Sequence, residues 1–226
     1  MKVLLIADEE SPYFWDHYKP GMLDGIDLIL SAGDLKKDYL EFLATMCKAP
    51  LLYVCGNHDT SFENDPPGGC RCVDGDLVEV NGLRVLGLGG CRKYSKKGVQ
   101  YTEHQMRKRV LRIWYKFIYY GGADIILTHA PLFGVGDGTD LPHRGFRCFN
   151  RLVALLKPGY VIHGHIHMSY GANMPRTRSY DGATVINACE KYIIDIPERA
   201  SDLTLHKIVR NLSEKTLSAL RITGKL

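Results

Sequence analysis

The residues able to do chemistry fall at one kind of place in this sequence. Asp8 closes the run Val3-Leu4-Leu5-Ile6-Ala7, Gly33-Asp34 follows Leu28 to Ala32, and Gly56-Asn57-His58-Asp59 follows Leu51 to Cys55. His129 ends Ile125-Ile126-Leu127-Thr128, and Gly164-His165-Ile166-His167 ends Val161-Ile162-His163. Carboxylates, an amide and imidazoles together suit Mn²⁺, Fe, Zn²⁺ and similar ions, and an aspartate can bridge two of them. Two ions about 3.5–4 Å apart can activate a water and hold the attacking and leaving oxygens of a phosphoryl centre. Glycine at 33, 56 and 164 permits the tight turn that returns a side chain over a strand end.

The elements that must position these residues are short apolar runs, each closed by a polar or glycine-containing turn, the pattern of buried strands in a layered α/β protein. The predicted strands are 2–7, 27–32, 51–55, 76–80, 83–88, 124–128, 159–163, 183–188 and 191–196. Ligands of α/β sheets bind outside the strand ends, so loops distant in sequence can meet in one crevice. Asn81-Gly82 between two alternating runs predicts a hairpin, which makes part of the sheet antiparallel. Helical spacing covers 38–47, with Asp38 as cap, 146–156, and 102–120, opened by Thr102-Glu103-His104-Gln105 as a capping box. In the last of these Met106, Val110, Ile113 or Trp114, and Phe117 share one side; Arg107, Lys108, Arg112 and Lys116 read as a solvated outer face. Residues 66–69 and 134–145 are loops long enough to shape a site.

The 226 residues, 45% hydrophobic and 24% charged, suffice for one buried core, which excludes a disordered or fibrous chain. Twenty-nine basic against 25 acidic residues leave +4, too small and dispersed to mark a nucleic-acid or membrane binder. The start of the chain lacks a signal peptide, and no run reaches the roughly 18 apolar residues of a membrane span. Seven scattered cysteines without a C-x-x-C pair fit reduced thiols, so a soluble, cytoplasmic protein is expected, with Cys70 and Cys72 as loop thiols. The motifs of P-loop NTPases, serine hydrolases and zincins are absent. A core domain over 1–200 is followed at 201–226 by a helical extension, in which Leu205, Ile208, Leu212 and Leu220 make 201–222 amphipathic and able to mediate self-association.

The ordered set Asp8, Gly33-Asp34, Gly56-Asn57-His58-Asp59, His129 and Gly164-His165-Ile166-His167 resembles the calcineurin-like metallophosphoesterase family, over about residues 1–196. The resemblance implies a four-layer α/β sandwich of two mixed sheets flanked by helices. It further implies two divalent ions, Mn²⁺ first among Fe, Zn²⁺ and Mg²⁺. Asp8, Asp34 and His167 would hold one ion, with Asp34 bridging to a second held by Asn57, His129 and His165. His58, oriented by Asp59, would face the phosphate and assist the leaving oxygen. The family usually has histidine two residues after its first aspartate, where this chain has Glu10. A Glu10 ligand or supporting group would make that site harder and more anionic; the other reading is a solvated turn carboxylate.

The stretches 128–137, 143–145, 164–171 and 185–188 are similar to small metallophosphoesterase-domain proteins that act on phosphodiesters. That likeness lays the 134–145 loop over the site, where His143 and Arg144 either bind a phosphate oxygen or serve as ordinary loop residues. Tyr170 is expected beside the metal loop, His163 in the core or behind a ligand, and His17, His104 and His206 on the surface. The implied activity is hydrolysis of a small phosphodiester, or a monoester, by metal-bound hydroxide. The alternatives are a scaffold that has lost catalysis and a nuclease, the latter disfavoured by the low charge.

Overall fold

A computed structural model describes residues 1–168 and 175–197. In chain order the first half holds β1 (Lys2–Ala7), α1 (Pro12–Trp15), β2 (Leu28–Ser31), α2 (Lys37–Met46), β3 (Leu51–Tyr53), β4 (Cys70–Cys72), β5 (Asp76–Val80), β6 (Leu83–Leu88), β7 (Cys91–Arg92) and β8 (Gln100–Tyr101). The second half holds α3 (Glu103–Arg112), α4 (Trp114–Tyr120), β9 (Ile125–Thr128), α5 (Arg147–Leu156), β10 (Tyr160–His163), β11 (Thr177–Tyr180), β12 (Ala183–Asn187) and β13 (Glu190–Asp195). One sheet runs β13-β1-β2-β3-β4 and a second runs β11-β12-β10-β9-β6-β5. Both are mixed, with parallel centres and antiparallel pairs at β1/β13, β11/β12 and β5/β6.

The apolar runs are continuous because every central strand is covered on both faces. Val3, Leu5, Leu28, Leu30 and Leu52 of the first sheet share a core with Val85, Ile125, Leu127, Ile162 and Ile186 of the second. The alternate residues Leu4, Ile6, Ile29, Leu51 and Tyr53 turn outward onto Phe14 of α1 and Tyr39, Leu40 and Leu43 of α2. On the far side Leu86, Ile126, Val161 and Val185 meet Met106, Phe117, Phe149 and Leu152 of α3, α4 and α5. The period of two thus builds four layers, helices, sheet, sheet and helices. Arg84 at the start of β6 is fully buried, and its guanidinium grips both oxygens of Asp124 and the carbonyls of Tyr120 and Gly121.

The hairpin forms as expected, with Asn81 and Gly82 at φ 50° and 77°. Thr102 and Gln105 close a complete capping box, and Gly121 ends α4 at φ 71°. Several details differ from the sequence expectation, among them β7, β8 and β11, which fall outside the predicted strands. Lys36, not Asp38, precedes the first turn of α2, and Asp38 lies inside it, where its charge favours the helix dipole. The 102–120 helix breaks at Ile113, where the sequence has no Gly or Pro. Cys70 and Cys72 lie on β4, an edge strand too short and polar to show a period. On the outer face of α3 and α4, Arg107, Lys108 and Arg112 are exposed as expected, whereas Lys116 is half-buried and paired with Asp76, and the face also carries Leu111, Tyr115, Ile118 and Tyr119. His17 and His104 are exposed. Tyr170, His206 and the 201–222 segment lie outside the described residues, as does the end of the 1–200 domain beyond 197. Among the described residues no helix is long and apolar enough to cross a membrane.

Candidate metal centre

The parallel strands β1, β2 and β3 of one sheet and β9 and β10 of the other deliver Asp8, Asp34, Asn57, His129 and His165 to one seam. Backbone bonds lock the loops together: the Asp8 amide donates to Gly33 O at 3.1 Å, and the Gly164 amide to His129 O at 3.0 Å. Asp8, Asp34 and His165 all sit in the left-handed region, at φ 63°, 58° and 66°. Each such residue costs on the order of 1–3 kcal/mol and persists only where its surroundings force it. The glycines make room: a Cβ on Gly56 would stand 2.1 Å from Asp34 Oδ1, and one on Gly164 2.8 Å from Asp8 Oδ2.

His129 is wholly buried, with Nδ1 on Ala32 O at 2.8 Å. Its Nε2 faces Asn57 Oδ1 at 2.9 Å, His165 Nδ1 at 3.1 Å and Asp34 Oδ2 at 3.4 Å. His165 gives its Nε2–H to Pro142 O at 2.9 Å. A neutral imidazole has one donor and one acceptor, so both rings turn lone pairs on each other beside two further acceptor oxygens. A proton or a cation between them satisfies that arrangement. Donor atoms of Asp34, His129 and His165 lie within 4.8 Å of one another, and the residues therefore fit a divalent ion.

The titration of the cluster tells the same story. Burial would lower His129, but the Asp34 and Asp8 charges raise it to about 9, so without a cation the proton rests there. His165 is pushed down to about 3 by burial and by His129. Burial lifts Asp8 to about 6 against the pull of His129 and the His165 amide. Burial would lift Asp34 too, but His129 and the His58 amide and ring hold it below the usual carboxylate range.

His167 stands apart from that trio. Its Nδ1 meets Glu9 Oε1 at 2.8 Å, and Glu9, His167 and Cys189 bring donor atoms within 4.8 Å of one another. Glu10 turns its carboxylate to Lys36, 3.4 Å away. The sequence reading missed Glu9, Cys189 and the Pro142 carbonyl; Cys189 ends an apolar run, as the other donors do, which was a usable signal.

His58 is exposed, its Nε2 4.0 Å from Asp34 Oδ2 and its amide 2.7 Å from Asp34 Oδ1. It borders a cavity of about 470 Å³ lined also by Asn57, Thr60, Tyr94, Lys97 and Gln100. Asp59 was expected to orient His58. Its buried Oδ2 instead accepts the Asp34 and Gly56 amides at 2.8 and 2.7 Å, which clamps two ligand loops together. The 134–145 loop does reach the centre, through Pro142 O and through the His143 ring, 5.2 Å from that of His165. His143 pairs with Asp140, whereas Arg144 donates to Thr139 O within the loop. His163 is buried behind the centre, with Nδ1 on Gly164 O at 3.0 Å.

Two packed mixed sheets with oxygen and nitrogen donors gathered at the ends of their parallel strands define a metal-centre fold. Residues 1–190 match the calcineurin-like phosphoesterase superfamily domain, and the chain belongs to that superfamily, which supports a metal-dependent phosphoesterase. It is 24% identical over 243 residues to the UPF0046 protein K07C11.7 of Caenorhabditis elegans, covering 96% of this chain and 77% of that protein. A crystal structure of TT1561 from Thermus thermophilus superposes with TM-score 0.55 at 14% identity, over 84% of this chain and 89% of its own. Another solved structure reaches TM-score 0.62, also at 14% identity, over 86% and 94%. These structures share the fold.

Proposed function

We propose that the protein hydrolyses small phosphodiesters at a centre of two divalent cations, Mn²⁺ the first candidate. The observation that carries this is the set of acceptors converging on His129 Nε2, with an exposed His58 4.0 Å from Asp34 Oδ2, one of those acceptors, and bordering the 470 Å³ cavity. When bound there, divalent cations would acidify a coordinated water and offset phosphate charge. Asp34, with one oxygen on the His58 amide and the other toward His129, would be the carboxylate shared by the two ions, a role its reach to both sides supports without His167. His58 Nε2 is positioned to give a proton to the leaving oxygen, a contribution of about 10²–10⁴ in rate. Lys97 supplies positive charge at the cavity rim and Tyr94 an apolar wall, which suits an anionic ester with an aromatic or nucleoside-like group.

The test is Mn²⁺-dependent hydrolysis of bis(4-nitrophenyl) phosphate. His58→Ala should keep its metal and lose rate, whereas Asp34→Asn should lose metal. A metal-loaded protein that turns over neither phosphodiesters nor monoesters overturns the reading.

A further inference from the structure

Among the described residues two groups gather three metal-type donors, and only the Asp34 group resembles a hard-to-borderline centre. We propose that the other, Glu9, His167 and Cys189, is a thiolate-bearing cation site that favours Zn²⁺ over Mn²⁺ and Mg²⁺. Three separate segments build it: the loop after β1, the loop after β10, and the crossing from β12 to β13. Their donor atoms lie within 4.8 Å of one another. A tetrahedral ion with bonds of about 2.0–2.3 Å holds its ligand atoms roughly 3.4–3.8 Å apart, so the group needs to close by about 1 Å at its widest. Glu9 and His167, in contact at 2.8 Å, need to part slightly.

Cys189 is held where it is needed. It is buried, its amide donates to Asn187 Oδ1 at 2.9 Å, and its carbonyl accepts Arg176 Nη1 at 2.7 Å. A bridge pairs it with Ala7, immediately before Asp8, and Glu190, the next residue, opens β13 opposite the same Ala7 at φ 62°. Sulfur and imidazole with a single carboxylate make a softer set than carboxylates alone. The hard site expected from Glu10 is therefore not what surrounds His167, since Glu10 faces Lys36. On binding, the Sγ–H bond breaks as the sulfur–cation bond forms, and the proton leaves to solvent.

The site is read without turnover, so its failure is distinct from failure of the phosphodiesterase reading. The full chain, stripped by chelator, is titrated with Co²⁺ and watched for a sulfur-to-cobalt charge-transfer band in the near ultraviolet. The band should be present in the wild type, in Cys72→Ser and in His129→Asn, and absent in Cys189→Ser. Zn²⁺ affinity at this site should fall at least about 100-fold in Cys189→Ser, beyond the usual effect of losing a mere supporting group. No band at saturating Co²⁺ in the wild type, or a band that survives Cys189→Ser, overturns the proposal. Should Cys189→Ser fail to fold, Glu9→Gln with His167→Gln keeps the thiol, and an unchanged Co²⁺ affinity of the band overturns it equally.

Discussion

A single methyl group at Gly56 should dismantle the Asp34 centre. The added Cβ would lie 2.1 Å from Asp34 Oδ1, 2.5 Å from Cγ and 2.6 Å from the Asp34 nitrogen, where ordinary contact begins at 3.4 Å. Asp34 has nowhere to retreat as a unit, because Asp59 Oδ2 holds both the Asp34 and the Gly56 amide. The carboxylate must rotate instead, losing the His58 amide at 2.7 Å and drawing Oδ2 away from His129. Overpacking of this kind costs about 1–3 kcal/mol, and losing a hydrogen bond to a charged acceptor about 1.5–3 kcal/mol. Gly56→Ala should therefore lose about 2.5–6 kcal/mol of stability in urea, and a displacement near 1 Å should lower turnover about 100-fold. Urea titration and metal titration are run side by side on wild type and variant. A Gly56→Ala protein with the wild-type urea midpoint and metal affinity would refute the claim that the close approach of these two loops builds the centre.

Burial pushes His163 from its ordinary 6.5 down to about 4, so folding favours the neutral ring. Its contribution is complete above pH 6.5 and is lost as pH falls toward 4, about 3 kcal/mol in all; acid melts should show His163→Gln flattening that slope. Asp124→Asn leaves the Arg84 guanidinium buried against a neutral amide and should cost about 3–5 kcal/mol by urea denaturation. Glu10→Ala should leave metal stoichiometry unchanged, because Lys36 and not a donor group faces that carboxylate; elemental analysis decides it.

The central strands were legible because residues such as Leu4 and Leu5 are apolar on both faces, and burial on both sides erases any competing polar signal. The same rule hid β4, whose Cys-Arg-Cys has no apolar run and which exists only because Tyr53 of β3 offers an edge. Site residues were legible where a donor follows a glycine at the end of a strand, as at Asp34 and His165. What sequence did not carry is direction: Glu9 and Glu10 are identical side chains one position apart, and only the left-handed turn at Asp8 sends one to His167 and the other to Lys36. Asp59 misled for a related reason, since its neighbour in the chain is not its partner in space.

The outer partner of β1 is β13, with Lys2 opposite Asp195. Most donors, from Asp8 to His129, are therefore synthesised well before the strands that fix the seam around them. While the chain emerges from the ribosome, Asp8 has β2 on one flank and nothing on the other, and β10 lacks β12. Pairings that span nearly the whole described chain form late and slowly. A cation would thus be held firmly only after β12 and β13, which follow the other strands among the described residues, have closed on β10 and β1.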